Sequence, residues 1–72
     1  MKAMAKFRAE LGISAREMAE RVGVSQSYYD KIEYGKKAPG RGFILKFKKA
    51  FPSFDISLFF EDELHEKQEK TA

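Results

Sequence analysis

The sequence predicts an all-α domain of five short helices, and three observations carry that prediction. Apolar residues recur at the helical spacing i, i+3, i+4 and i+7, and nowhere alternate over the length of a strand. Residues that start and stop helices return every ten to fifteen positions. The chain has 72 residues, 43% of them hydrophobic and seven of them Phe, which suits one core and one domain.

Met4, Phe7, Arg8 and Leu11 share one face of the first helix, and Gly12 ends it as a left-handed C-cap would. Ser14 opens the second. With Glu17 it makes a capping-box pattern, in which the hydroxyl accepts from the Glu17 amide while the carboxylate reaches back to the Ser14 amide. Met18, Ala19 and Val22 form the inner face of this helix, and Gly23 ends it. Ser25 is the N-cap of a third helix that runs to about Tyr34, with Gly35 at its end. On that helix Tyr29 and Ile32 point one way. Gln26, Ser27, Asp30, Lys31 and Tyr34 spread around the other side, with Tyr28 and Glu33 on the flanks. A basic loop, Lys36 to Gly42, leads to a fourth helix expected from about Phe43 to Phe51, with Ile44, Phe47 and Phe51 inward. Pro52 and Ser53 break it. The fifth starts near Asp55 and carries Ile56, Phe59 and Phe60.

Two units are expected along the chain. Residues 1–61 form the domain, and residues 62–72 a charged C-terminal helix extension or frayed tail. In the tail, Glu63/Lys67 and Glu66/Lys70 are i, i+4 pairs in the favourable order, each adding ~0.2–0.5 kcal/mol of helicity.

The formal net charge of +3 hides an asymmetry. Residues 1–49 hold 12 Lys/Arg against 5 Asp/Glu, whereas residues 50–72 hold 2 against 6. A basic body favours a polyanionic partner through counterion release. The sequence has no Cys, so no disulfide or thiolate metal site is expected. His65, the one histidine, has no partner for a metal site or triad, and Glu61, Asp62, Glu63 and Glu66 lack calcium-loop spacing. No metal, cofactor or small-molecule ligand is therefore expected, and no nucleophile–base constellation points to an enzyme. The longest apolar runs, Phe43-Ile44-Leu45 and Leu58-Phe59-Phe60, fall far short of the ~20 residues of a membrane span. With no signal-peptide h-region, the expectation is a cytoplasmic protein with no membrane partner.

The segment Ser14–Gly35 is the most specific. Two helices pack at a steep crossing only if the residues there are small, and reversing the chain in about three residues asks for a positive φ. Counting from Ala15, the small residue Ala19 is fifth and the turn glycine Gly23 ninth. Met18, Val22, Val24, Tyr29 and Ile32 are the apolar fourth, eighth, tenth, fifteenth and eighteenth. The plain alternative is an ordinary αα-corner in a small bundle.

At this point the chain resembles the Cro/phage-repressor (XRE-like) helix-turn-helix domains. The matching words are Phe7-Arg8-x-x-Leu11-Gly12-Ile13-Ser14, Met18-Ala19-Glu20-x-Val22-Gly23-Val24-Ser25-Gln26-Ser27-Tyr28 and Lys31-Ile32-Glu33-x-Gly35-Lys36-x-x-Pro39. The resemblance covers residues 4–60. The resemblance implies a compact five-helix, lambda-repressor-like fold and reading of the DNA major groove by the third helix. It also implies a transcriptional regulator, usually a dimer on a palindromic operator. It further implies that Arg8 and Glu33 form a structural ion pair tying the first helix to the end of the third. The chain departs from the pattern at four places. Tyr29 stands where an aliphatic residue is usual, so the core must hold a ring and find its hydroxyl a partner. Asp30 replaces a small polar residue. Gly40-Arg41-Gly42 replaces Ser-Leu-Glu at the start of the fourth helix, and the connection at Pro52-Ser53 is about one residue long.

The docking geometry of this class puts the first turn of the third helix in the groove. Base contacts are expected from Gln26, which can pair bidentately with adenine, from Ser27, to a base edge or a phosphate, and from Lys31, to guanine O6/N7 or a phosphate. Backbone contacts are expected from Arg16 beside a helix N-terminus, from Tyr28, and from Lys36, Lys37 and Arg41, with Arg41 along the backbone or in a narrow minor groove. The expected function is sequence-specific binding of double-stranded DNA by a small prokaryotic or phage regulator, a repressor by class, acting as a homodimer. Phe54, Leu58, Phe60 and Leu64 are the candidate dimer contacts. The alternative is an antitoxin-like adaptor or protein-interaction module that keeps the fold with weak or no DNA binding.

Overall fold

The computed structural model describes residues 1–60. The expected tail 62–72, with Leu64 and His65, lies outside them. The described part is helical throughout its regular structure: α1 (Lys2–Leu11), α2 (Ala15–Val22), α3 (Gln26–Glu33) and α4 (Arg41–Ala50). A fifth helical segment, α5, is described over 57–60.

The caps follow from side chains close by in sequence. Ser14 and Ser25 are extended, and their hydroxyls accept from the Glu17 and Tyr28 amides at 3.0 and 3.1 Å. Each satisfies one of the free amides of a helix start. The capping box is only half made. The Glu17 carboxylate does not return to Ser14 but accepts from Arg21 one turn on, at 2.6 Å, a competing i, i+4 partner.

Gly23 and Gly35 are the residues that turn the chain. Both have positive φ, 91° and 79°. A Cβ at Gly23 would meet no atom within 4 Å, so glycine is required there by the backbone and not by space. At the end of α3 the Gly35 amide donates to the Ile32 carbonyl at 3.1 Å and the Lys36 amide to Lys31 at 2.8 Å, a Schellman pair that closes the helix sharply.

α2 packs on both α3 and α4, and α1 leans on α3. Met18, Ala19 and Val22 meet Tyr29 and Ile32 across the α2–α3 corner, all buried, with Ala19 1% exposed. The rest of the core is a cluster of phenylalanines. Phe47 is fully buried, and its ring centroid lies 4.9–6.1 Å from those of Phe7, Phe43, Phe51, Phe54 and Phe59. Most of these contacts are tilted or edge-to-face, the arrangement aromatic quadrupoles favour.

Three expectations need correction. α4 begins at Arg41, not Phe43, and ends at Ala50. Gly40 is extended and serves as N-cap without a side-chain bond, and the helix starts on backbone alone, the Ile44 amide donating to Gly40 at 3.0 Å. Arg41 therefore sits in the first turn of a helix and not in the loop. Leu11 is 41% exposed, because the last turn of α1 runs past the core. Phe54, a candidate dimer contact, is buried against Phe7, Phe47 and Phe59. Leu58 is half-buried and Phe60 exposed. Asp55 does cap the start of the fifth segment, accepting from the Ser57 amide at 3.0 Å.

Candidate nucleic-acid interface

α3 is held from its buried side and offers its other side to solvent. Arg8 on α1 donates from Nε and Nη2 to the two carboxylate oxygens of Glu33, at 2.9 and 3.0 Å, a bidentate pair. Its Nη1 donates to the Ile13 carbonyl at 3.1 Å, tying in the α1–α2 connection. The Tyr29 hydroxyl donates to Glu33 Oε1 at 2.7 Å. This supplies the partner that a ring at position 29 demands, from one turn further along the same helix. The terminal ammonium of Met1 donates to the Glu33 carbonyl.

The Glu33 carboxylate is 3% exposed and the Arg8 side chain 26%. The hydrogen bonds from Arg8 hold the Glu33 carboxyl below its ordinary value, against the opposing effect of burial. Burial and then the bond to Glu33 push the Tyr29 hydroxyl up. The hydrogen bond to Glu33 likewise raises Arg8. All three groups are thus fixed in one protonation state at neutral pH, and the C-terminal end of α3 is anchored by them.

Outward from this anchor, Gln26, Ser27, Asp30, Lys31 and Tyr34 form one stripe, and with Lys36 they line an open groove. Gln26, Ser27, Lys31 and Lys36 are exposed and Asp30 is half-buried. The three expected base readers and one expected phosphate contact are therefore brought together. The other expected contacts lie around them. Tyr28 is half-buried, its ring edge-on to Phe43 at 5.9 Å, so it props α3 against α4 as well as bordering the surface. Lys37 Nζ lies 5.6 Å above the Tyr28 ring, a cation–π contact. Gly40 passes close to the Tyr28 hydroxyl, which would stand 3.9 Å from a Cβ there. Arg41 follows it, exposed. Arg16, in the first turn of α2, is exposed and loosely paired with Glu20 at 3.9 Å, a surface contact of little strength.

Tyr34 was not among the expected contacts, yet it is 69% exposed and lines the groove with Lys31 and Gln26. Its signal was in the spacing, four residues after Asp30 and eight after Gln26 on one helical face.

Among the described residues no group of three or more His, Asp or Glu could hold a metal ion. No described helix is long and apolar enough to cross a membrane.

Comparison with known proteins agrees with this geometry. The helix-turn-helix family matches residues 4–57. An uncharacterized HTH-type transcriptional regulator of Archaeoglobus fulgidus is 35% identical over 65 residues, which cover 88% of this chain and 92% of that protein. No solved structure matches the chain at the same stringency. The two tightly capped helices, the glycine corner between them and the family match over residues 4–57 lead to one conclusion: the chain belongs to the Cro/C1-type helix-turn-helix family.

Proposed function

We propose that the chain is a sequence-specific DNA-binding transcriptional regulator, a repressor by class, whose α3 reads the major groove. One observation carries the reading: the exposed stripe of Gln26, Ser27 and Lys31 sits on a helix whose far end is immobilised by Arg8 and Glu33. A rigidly held helix with short and donor-rich side chains in its first turns suits the reading of base edges. Gln26 pairs with adenine, Lys31 with guanine, and Ser27 with a base edge or phosphate. Arg16, Tyr28, Lys36, Lys37 and Arg41 hold phosphates and set affinity more than sequence preference.

One such domain makes few contacts, so useful affinity calls for a second copy on a half-site ~34 Å away. We place the homodimer contact at the exposed Phe60 and half-buried Leu58, on a palindromic operator. No catalysis belongs to this reading.

Selection of bound duplexes from a random pool tests it. The expected result is a palindromic motif from the native chain. Gln26→Ala and Lys31→Ala should each relax the motif at one position per half-site, while Lys37→Ala weakens binding to all sequences alike. An unchanged motif in both Gln26→Ala and Lys31→Ala would overturn the base-contact assignment.

A further inference from the structure

Asp30 is the residue of the α3 stripe to which DNA reading has so far given no task. It lies between Gln26 and Ser27 on one side and Lys31 and Tyr34 on the other, and lines the same groove. Its Oδ1 is closed off from water and has no hydrogen-bond partner. It forms no ion pair among the described residues, although Lys31 and Lys36 border the groove. An acceptor shielded from water without a donor is costly, so Asp30 is held on this face without local compensation. The two oxygens of an ionised carboxylate are equivalent, so turning the group only exchanges them, and Oδ2, which is not closed off in this way, is the acceptor that Asp30 offers to a donor in the groove.

Resting on the reading that α3 enters a major groove, we infer that Asp30 is a specificity residue that selects cytosine at one position of each half-site. An ionised carboxylate can only accept. In the major groove, guanine presents N7 and O6, and thymine O4 beside its methyl group, so both oppose a carboxylate. Adenine presents its N6 amino group beside the N7 acceptor, whose lone pair faces the second carboxylate oxygen. Cytosine presents the N4 amino group with no acceptor of its own beside it. The order is therefore cytosine first, adenine second, guanine and thymine rejected. Lys31, the next residue, only donates and fits guanine O6/N7 by the same logic. Adjacent side chains of opposite charge thus read complementary edges.

Selection from a random pool with the full chain, native beside Asp30→Ala and Asp30→Asn, tests the inference. The native motif should hold a cytosine whose replacement weakens binding about 10-fold or more. Asp30→Ala should lose the preference at that position alone. Asp30→Asn should move it to adenine, because a carboxamide pairs with both N6 and N7. Thermal melts establish that the variants fold, and the nearly isosteric Asn variant still decides the matter if the Ala variant does not. An unchanged motif in Asp30→Asn, or a uniform change in affinity across all sequences, overturns the Asp30 assignment and leaves DNA reading by α3 standing. Failure of the native chain to bind any duplex at low salt overturns that reading, and this inference with it.

Discussion

Replacing Arg8 by alanine should cost the fold about 3–5 kcal/mol, the range for stranding one member of a buried ion pair. The Glu33 carboxylate is 3% exposed and would lose both guanidinium bonds, keeping only the Tyr29 hydroxyl and the nearby terminal ammonium. Glu33→Ala should cost less, because Arg8 is 26% exposed and can turn to water, although the Tyr29 hydroxyl is left without its acceptor. Urea denaturation of both single variants and the double variant, run in enough sucrose or TMAO that each starts folded, should show strong non-additivity, since each single change removes the same contact. Additive losses would contradict the pairing.

The pH dependence has a definite sign. Glu33 is held below its ordinary value of 4.5, so its contribution is fully present above that pH and is lost as pH falls through the lowered value in the folded state. The deficit of Arg8→Ala relative to the native chain should therefore narrow as pH falls below 4.5, because the native chain then loses what the variant already lacks.

Phe47→Ala should be comparably severe, about 3–5 kcal/mol for an aromatic truncated in a packed core. Phe47 touches five other phenylalanine rings from α1, α4 itself, the segment after α4 and α5, so the cavity opens where every element but the α2–α3 corner converges. A core of this size supplies only ~3–5 kcal/mol of net stability, so the variant should be largely unfolded at 25 °C. Leu45→Ala on the same helix is the control. Leu45 is 61% exposed, and its removal should change stability by no more than about 0.5 kcal/mol. Melting curves followed by circular dichroism separate the two. A Phe47→Ala variant that melts like the native chain would contradict the placement of the core.

What could be read in the sequence was what is decided over a few residues. Ser14, Ser25, Gly23 and Gly35 are caps and turns whose partners lie within one turn of helix, and the structure holds each in that role. The buried faces of α2 and α3 follow from helical spacing for the same reason. The misread features depend on competition or distance. Glu17 had two partners within reach, and Arg21 took it from Ser14. α4 starts at a Gly-Arg-Gly segment with no capping side chain, so nothing local marks Arg41 as helical. Whether Phe54 is core or contact is settled by how residues 51–56 fold back onto α1, which spacing along the chain does not encode. Asp30 was visible as an acid on the outer face of α3. That one of its oxygens is shielded and unpaired depends on the packing around it.

The role of the α3 face is tested most directly by titrating the purified chain against a labelled duplex of random sequence at 50 and 200 mM salt. If Arg16, Lys36, Lys37 and Arg41 hold phosphates as proposed, the slope of log affinity against log salt should be on the order of −3 to −4 per bound copy, or about a 100-fold loss across that range. Binding at the lower salt that weakens by this much is the expected result. No binding at 50 mM, or binding indifferent to salt, would contradict it.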